Sequence, residues 1–378
     1  MKILLVGEYS RLHNSLKEGL QIIGHSVTLI STGDYFKDYP ADIKLKRKFY
    51  TGIGRKILVG MYRLFGVHIA SISILRQFFS YSEQLKGYDI VQLINESPFG
   101  IEPKDEKKVI SFLKKYNQKL FLLSCGADFK SVSYALSDAL PYSLLKAYKD
   151  GLVPASHFDF ALKYVSQPFK ELHEFLYTQI DGVIASDVDY HLPLKGHPKY
   201  LGLIPNPVVL DSLEYKEVPI NGEIEVFLGI NRSNYHTKGI AYFEKALAII
   251  QQKYPERINL TVAENIPYAE YIESYNKAHI VLDQVLSYDQ GYNALEAMAK
   301  GKVVFTGAER VFMDFYKLQD PVAINALPDA ALIAHELEKL LLQPNRITQI
   351  GRKARAFVEK HHDARTIANS FITTWQKA

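Results

Sequence analysis

Short apolar runs alternate with longer segments of helical period along almost the whole chain of 378 residues. The apolar runs, which predict buried strands, are Ile3–Val6, Val27–Ile30, Ile90–Ile94, Leu120–Cys125, Gly182–Ala185, Ile224–Leu228, Ile258–Val262, Ile280–Leu286 and Lys302–Phe305. The helical periods include Ser10–Ile23, Lys104–Asn117, His157–Thr178, Tyr242–Lys253 and Asn293–Lys300. This alternation predicts an α/β fold, in which mostly parallel sheets are covered by helices on both faces.

The alternation is interrupted near residue 205, where prolines cluster. Ile204-Pro205-Asn206-Pro207 and, soon after, Pro219 and Asn221-Gly222 are typical of a linker. We therefore predict two doubly wound, Rossmann-like domains, residues 1–205 and 206–360, and a C-terminal helix within 361–378. Ligands of such sheets bind beyond the carboxyl ends of the strands, so two facing domains predict a central cleft lined by the loops there.

Charge and cysteine content exclude several classes of function. The chain has 45 basic and 41 acidic residues, a net charge of +4, and no sequence motif for nucleic acid accompanies it. Cys125 is the single cysteine, which excludes an internal disulfide and a thiolate-rich metal site. The run Ile3–Val6 is too short for a signal sequence, and the charge-free stretch Leu64–Leu75 is too short for a membrane span. We expect a cytoplasmic protein with no nucleic-acid partner.

A loop with two cations follows the predicted strand Ile224–Leu228. Arg232 and Lys238 lie in this loop, and a helix is predicted to begin after Gly239. Cations beside the free amide groups of a helix N-terminus suit a polyanion such as a diphosphate. The alternative is that both are ordinary solvated side chains of a surface loop.

A second loop follows the predicted strand Ile280–Leu286 and leads into the next helix. Gly291 permits close approach of the backbone to a ligand, and Glu296 is placed to accept hydrogen bonds from sugar hydroxyls. Asn293 and Glu296 also have the spacing of a capping box, in which Glu296 only satisfies a backbone N–H group. Gly301 is predicted to end this helix.

Together, the two loops resemble the donor site of GT-B glycosyltransferases of the family 4 type. The run Gly291-x4-Glu296-Ala297-Met298-Ala299-x-Gly301 is similar to that family's signature, and Arg232 and Lys238-Gly239 match its diphosphate-binding residues. Further matches are Ile204-Pro205-Asn206, Asp181-Gly182-Val183-Ile184-Ala185-Ser186, Leu4-Leu5-Val6-Gly7 and Gly24-His25-Ser26-Val27. The matches extend over most of the chain and are strongest in its C-terminal half.

The resemblance implies a reaction and a role for each residue of the two loops. Arg232 and Lys238 would stabilise the diphosphate leaving group as negative charge develops on it. Glu296 would bind the ribose hydroxyls, and the amides near Gly291, Tyr292 and Asn293 would line the donor phosphate and sugar. The implied reaction moves a sugar, with retention of configuration, from a UDP- or GDP-linked donor to a glycan or lipid-linked acceptor. A role in cell-surface polysaccharide synthesis is implied, with neither a metal nor another cofactor.

The sequence departs from the family pattern at two positions that carry chemistry. Tyr288 stands where the family has the first of two glutamates, and the adjacent Asp289 is the candidate substitute. Cys125-Gly126-Ala127-Asp128 resembles the family's His-Gly-x-Asp loop, with Cys125 in place of the histidine. Asp128 would then face the donor or acceptor sugar. The alternative is a buried thiol followed by an Asx turn.

Three further residues are candidates for the acceptor side because of their place in the chain. Glu8, Ser10 and Arg11 follow the first predicted strand, where the loops of the N-terminal domain meet the acceptor in the family. Arg11 is equally compatible with an ordinary position on a helix face.

Residues 41–79 combine positive charge with apolar and aromatic side chains. Seven basic residues and one acidic residue lie between Ala41 and Arg63, interleaved with aliphatic and aromatic ones. Such a segment suits an anionic bilayer surface, at about 1 kcal/mol per basic residue near it. We expect contact with the inner face of a membrane. The alternative is a solvated basic loop followed by a buried helix.

Two other functions remain open on sequence grounds. Tyr288 and Cys125 favour a catalytically silent GT-B protein that binds a nucleotide sugar or a glycan, or supports an active partner. A GT-B nucleotide-sugar epimerase is the third hypothesis, against which the Glu-Ala-Met-Ala run and Lys238-Gly239 argue.

Overall fold

The computed structural model describes residues 1–33, 39–49, 51–264, 266 and 268–378, and these form two compact units. Unit 1 comprises residues 1–133, 159–207 and 364–378, and unit 2 comprises residues 134–158 and 208–363. The division between the units after Pro207 lies close to the predicted linker. Residues 134–158, which the sequence analysis placed in the first domain, group with unit 2.

Each unit contains one parallel sheet. The strands of unit 1 are β1 (Lys2–Val6), β2 (Ser26–Ser31), β3 (Ile43–Lys44), β4 (Ile90–Leu93), β5 (Lys119–Ser124), β6 (Gly182–Ala185) and β7 (Tyr200–Leu203), in the order β3-β2-β1-β4-β5-β6-β7. Those of unit 2 are β8 (Ile224–Ile230), β9 (Ile258–Glu264), β10 (Ile280–Leu282), β11 (Val303–Thr306) and β12 (Ile324–Asn325), in the order β12-β11-β10-β8-β9. The predicted α/β class with two doubly wound sheets is confirmed.

Most helices lie between strands along the chain, as the apolar periodicity predicts, and three more follow the last strand. They are α1 (Leu12–Ile22), α2 (Gly52–Phe65), α3 (Ile69–Ser80), α4 (Pro103–Tyr116), α5 (Phe129–Leu136), α6 (Lys146–Lys149), α7 (Asp159–Leu162), α8 (Gln167–Gln179), α9 (Val188–Leu194), α10 (Tyr235–Lys238), α11 (Ile240–Lys253), α12 (Tyr268–Lys277), α13 (Tyr292–Ala299), α14 (Arg310–Tyr316), α15 (Ala330–Leu342), α16 (Asn345–His361) and α17 (Ala364–Lys377).

All nine predicted strands are present, and the differences occur where local signals are weak. Three strands were not predicted: β3 and β12, which have two residues each and show no apolar period, and β7, which is half-buried throughout and contains Gly202. The predicted helix His157–Thr178 is wrong as a single element. It divides into α7 and α8, because Pro168 begins a new helix at its first turn.

The C-terminal helix α17 belongs to unit 1 and packs on α1. Trp375 is fully buried, and its indole Nε1 donates to Gln92 Oε1 on β4 at 3.0 Å. The Lys119 ammonium also donates to the Trp375 carbonyl, at 3.2 Å. A tail that follows unit 2 in sequence therefore completes the core of unit 1.

The basic and apolar segment of unit 1 forms β3, α2 and α3. Leu64 and Phe65, at the end of α2, are 76% and 67% exposed, whereas Ile74 and Phe78 of α3 are buried in the core. Within the described residues, no helix has both the length and the apolar composition to cross a membrane by itself. The bent pair Gly54–Phe65 and Ile69–Ser80, at 103°, meets that test jointly.

Candidate functional site

The two loops singled out in unit 2 leave the same edge of its sheet side by side. β8 and β10 are parallel neighbours, with Leu228 opposite Leu282. The loop with residues 231–239 follows β8, and the loop with residues 283–291 follows β10. The sequence predicted that this strand extends to Leu286, but β10 ends at Leu282. Beyond it, the N–H group of Val285 donates to the Lys238 carbonyl of the neighbouring loop, at 2.8 Å. Backbone hydrogen bonding therefore joins the two loops.

Arg232 is held at the surface by an ion pair. Its Nε and Nη2 atoms each lie 2.5 Å from a carboxylate oxygen of Glu264, at the end of β9. The guanidinium also lies over the ring of Tyr235, 5.0 Å from its centroid. The Glu264 hydrogen bond raises the pKa of Arg232. The arginine therefore has a defined position, yet its side chain is 56% exposed.

Lys238 ends the short helix α10, and its ammonium lies 2.8 Å from Asp283 Oδ1. The Asn293 side chain, in the first turn of α13, donates to the same oxygen at 2.9 Å. The Lys238 side chain is 26% exposed, and Asp283 is buried. Two residues predicted from separate motifs are thus brought together by a carboxylate that the sequence analysis did not single out. The sequence signal that could have identified Asp283 was a charged residue inside an apolar run.

The helix that carries Glu296 begins earlier than the predicted capping box implies, since that prediction made Asn293 the N-cap residue. Gly291 is the N-cap of α13, and no side chain caps this helix end. Asn293 therefore lies inside the helix, and the capping-box alternative does not apply. Gly301 ends the helix as predicted, with φ at 80°, a conformation that favours glycine. Glu296 is half-buried, close enough to Tyr275 that its charge raises the pKa of that buried phenol, after the larger effect of burial.

Asp289 and Gln290, before Gly291, are buried within the loop. Asp289 Oδ1 accepts from the N–H group of Gln290 at 2.7 Å, and the Gln290 side-chain amide donates to the Gly307 carbonyl at 2.6 Å. A Cβ atom at Gly307 would lie 2.5 Å from the Ser287 carbonyl oxygen, so only glycine fits there. Asp289 is 3% exposed. Its carboxylate therefore shapes the loop, and it does not take the exposed position that a substitute sugar contact requires.

Tyr288 packs against a residue of the 134–158 segment. Its ring is stacked on that of Tyr142, with centroids 4.9 Å apart and planes at 17°. The Tyr288 hydroxyl donates to the Tyr142 carbonyl at 3.2 Å, and the Tyr142 hydroxyl donates to Glu309. The same segment places His157 against His236 of α10, with ring centroids 5.1 Å apart. Residues 134–158 thus contact both loops of this edge, which no local sequence signal indicated.

The predicted residues of unit 1 follow β1 and β5 at the carboxyl edge of its sheet. Asp128 is 1% exposed. Its Oδ2 accepts from the Ser124 hydroxyl at 2.5 Å, and its Oδ1 accepts from the N–H group of Ser131 at 2.6 Å. Asp128 therefore caps α5, as the Asx-turn alternative expected. Cys125 is partly buried, and burial, followed by the charge of Asp187, raises the pKa of its thiol.

The residues after β1 are also engaged within unit 1. Glu8 is 2% exposed, and its Oε2 accepts from the backbone and side-chain N–H groups of Asn14 at 2.8 and 2.6 Å. Ser10 and Arg11 both have positive φ, 51° and 73°, an uncommon conformation for residues other than glycine. The Arg11 guanidinium pairs with Glu18 at 3.0 Å. Arg11 is thus the N-cap residue of α1 and contacts that helix through Glu18, so it does not take the helix-face position that the alternative described.

A buried acid–imidazole pair at this edge was missed from the sequence. Glu96 follows β4, and its Oε1 lies 2.5 Å from His173 Nδ1 on α8, while its Oε2 accepts from the N–H group of Phe129 at 3.2 Å. Burial raises the pKa of Glu96, and the His173 hydrogen bond opposes that shift. The partners are 77 positions apart in the sequence, so there is no local sequence signal for the pair. In the part of the chain that the structure describes, no three His, Cys, Asp or Glu side chains form a group able to hold a metal ion.

Comparison with known proteins gives a family match for the C-terminal part of the chain and a fold match for the whole of it. Residues 232–373 match the model of a family described as glycosyl transferase-like, and no curated protein matches the chain. The structure is similar to sucrose-phosphate synthase from Thermosynechococcus elongatus, at 16% identity and a TM-score of 0.63 over 100% of this chain and 98% of that chain. It is similar to HepE from Anabaena, solved with UDP and glucose, at 12% identity and a TM-score of 0.58 over 100% of both chains. The structure is also similar to UDP-GlcNAc 2-epimerase from Neisseria meningitidis, at 13% identity and a TM-score of 0.55 over 100% of both chains.

These likenesses define the class of the protein as the GT-B fold, two Rossmann-like units in one chain. Within that class, the family match begins at Arg232 and includes both loops of the unit 2 edge. The chain therefore has the GT-B fold, and residues 232–373 within it match a glycosyl transferase-like family.

Proposed function

We propose that this protein is a retaining glycosyltransferase that uses a UDP- or GDP-linked sugar and acts on a glycan or lipid-linked acceptor. Its biological role would be the synthesis of a cell-surface polysaccharide, at the cytoplasmic face of the membrane. No resident metal or other cofactor is required in this proposal, because Arg232 and Lys238 supply the positive charge that a diphosphate leaving group needs.

One observation carries the proposal: a partly exposed lysine and the N-terminus of α13 lie at one point on the sheet edge. Lys238 and Asn293 share the Asp283 oxygen, so the ammonium is next to the first turn of α13. The partial positive charge of that helix N-terminus and the ammonium together suit a diphosphate. HepE, a structural neighbour, is solved with UDP and glucose, which supports UDP as the first nucleotide to test.

The remaining roles follow the family pattern residue by residue. Arg232 would bind the diphosphate with Lys238, Glu296 would hold the ribose, and the amides of Gly291 and Tyr292 would face the donor. For the acceptor side we propose the edge of unit 1 where Glu8, Ser10, Arg11, Cys125 and Asp128 lie. Since the side chains of Glu8 and Asp128 are engaged in backbone hydrogen bonds, they would act chiefly by shaping that edge.

The test is nucleotide binding, measured by thermal shift and by isothermal titration calorimetry with UDP, GDP and ADP. A nucleotide at 100 times its dissociation constant should stabilise the protein by about 2.7 kcal/mol. Lys238→Ala should weaken binding about tenfold or more, because it removes a charge-assisted hydrogen bond. Lys245→Ala, on the exposed face of α11, is the matched control and should bind normally. Absence of binding by the wild type would refute the proposal.

A catalytically silent GT-B protein is the second candidate, and one observation favours it. Tyr288, at the family's glutamate position, is 6% exposed and covered by Tyr142, so it offers no carboxylate to a donor sugar. Such a protein would bind the nucleotide but hydrolyse or transfer no sugar. Turnover assays with UDP- and GDP-sugars decide between the two. A transferase loses turnover with Glu296→Gln while its melting temperature stays the same.

Membrane contact through residues 41–79 is part of the proposal. The support is the exposed apolar end of α2, where Leu64 and Phe65 lie close in sequence to Arg55, Lys56 and Arg63. Binding to vesicles with anionic lipid should fall when Leu64 and Phe65 are both replaced by serine, because apolar burial and charge act together there. Equal binding of wild type and variant to such vesicles would remove this part of the proposal.

A further inference from the structure

Asp283 is a buried carboxylate for which the proposed reaction has no direct use. It follows β10 at the edge where the two loops of unit 2 begin, and it is 2% exposed. Burying a carboxylate costs free energy unless the charge is paired and hydrogen-bonded. A buried negative charge at a site that would bind an anion should therefore have a role that offsets this free-energy cost.

The contacts of Asp283 link elements that are distant in sequence. One oxygen, Oδ1, accepts both from Lys238 Nζ at 2.8 Å and from Asn293 Nδ2 at 2.9 Å. The lysine lies 45 residues before the aspartate, and the asparagine lies 10 residues after it. The second oxygen, Oδ2, is buried and has no hydrogen-bond partner among the described residues. The carboxylate is thus oriented by these two donors alone.

Lys238 keeps donors for a ligand while it is held in this way. An ammonium group has three N–H donors, and the structure gives one contact of Lys238 with Asp283. The side chain is 26% exposed, so its end reaches solvent. An unrestrained lysine would lose rotamer freedom each time it bound an anion, and a tethered one has already lost it.

We propose that Asp283 is a positioning residue for the proposed donor site. It holds the Lys238 ammonium beside Asn293 and the N-terminus of α13, so that a diphosphate meets a cation already in place. The inference rests on the proposed function, because it assumes that Lys238 binds the diphosphate. It adds a residue that neither the family resemblance nor the sequence motifs assign.

The negative charge of Asp283 predicts different nucleotide affinities for an alanine and an asparagine variant. The carboxylate itself repels an anion, so its benefit is orientation and not attraction. Asp283→Ala removes both the repulsion and the tether. Asp283→Asn removes the charge but keeps an oxygen that Lys238 can donate to, so it should retain more affinity than the alanine variant.

A double-mutant cycle tests the inference, with UDP and GDP as probes in isothermal titration calorimetry. The proteins are the wild type, Asp283→Ala, Lys238→Ala and the double variant. In the presence of Lys238, Asp283→Ala should weaken binding about fivefold to tenfold, the loss expected for a charged hydrogen bond. In the Lys238→Ala background, the same change should cause no loss of affinity, because the group it positions is absent and only the repulsion by the carboxylate is removed.

The outcomes separate failure of the inference from failure of the proposed function. Equal losses in both backgrounds, or no loss with Lys238 present, would overturn the inference while nucleotide binding stands. No binding by the wild type would overturn both. Asp329→Ala is the control for a lost carboxylate, because Asp329 caps α15 and should change the melting temperature but not the affinity. If Asp283→Ala unfolds, Asp283→Asn completes the cycle, with a smaller loss expected in the presence of Lys238 and no loss in its absence.

Discussion

Both sheets are parallel, but the charged side chains at their carboxyl edges differ in sign and in exposure. In unit 1 the residues after β1, β4 and β5 include Glu8, Glu96 and Asp128, all buried and all accepting backbone N–H groups. In unit 2 the loop after β8 carries Arg232 and Lys238, which are paired with carboxylates yet remain partly exposed. The acids of unit 1 therefore hold loops in shape, whereas the cations of unit 2 are accessible to an anion.

The largest loss of stability should follow the removal of a buried acid at the carboxyl edge of the unit 1 sheet. Glu96→Ala leaves His173 and the N–H group of Phe129 without their buried partner, and should destabilise the protein by about 3 kcal/mol in denaturant unfolding. Glu174→Ala, one residue after His173 and exposed, should stay within about 0.5 kcal/mol of the wild type. Similar stabilities for the two variants would mean that the buried acid does not support the edge.

A smaller change in stability should come from the titration of Glu106, which also lies in unit 1. Burial raises the pKa of Glu106 from 4.5 to about 7, although its Oε1 accepts from the Ser97 hydroxyl and from the N–H groups of Phe99 and Ile101. Because the folded state holds the proton more tightly, this contribution to stability is complete below pH 4.5. It is lost as the pH rises through about 7.

The variant Glu106→Gln isolates that contribution, because it resembles the protonated acid. Between pH 5 and pH 8, the free energy of unfolding of the wild type should fall by about 2 kcal/mol relative to the variant. Parallel pH profiles of the two proteins would show that Glu106 does not titrate in this range.

The smallest effect should come from the exposed ion pair of unit 2. Glu264→Gln frees the Arg232 guanidinium at the surface, where ion pairs contribute little to stability, so the melting temperature should not change. Nucleotide affinity should change by less than about threefold, because Arg232 keeps its charge and its place over Tyr235. A large drop in melting temperature would mean that this pair, like the buried acids, is structural.

The agreement between sequence and structure differs from element to element for identifiable reasons. Buried strands such as β1 and β8 are recognisable because most residues of the run are apolar, and Gly301 marks a helix end because glycine readily adopts the positive φ found there. The two-residue strand β3 carries no such pattern. In the site, Arg232 and Lys238 were found through motif spacing, but Asp283 was not, since it lies inside an apolar run that predicted a longer strand.

Local pattern alone determined the α/β alternation, the two sheets and the loops that carry Arg232, Lys238 and Glu296, because periodicity and spacing act over a few residues. The tertiary structure decided which side chains meet. Tyr142 covers Tyr288 across 146 residues, Glu96 meets His173 across 77, and α17 returns to unit 1 after the whole of unit 2. Such pairings depend on how distant elements bury one another's surface, and burial is a property of the folded chain as a whole.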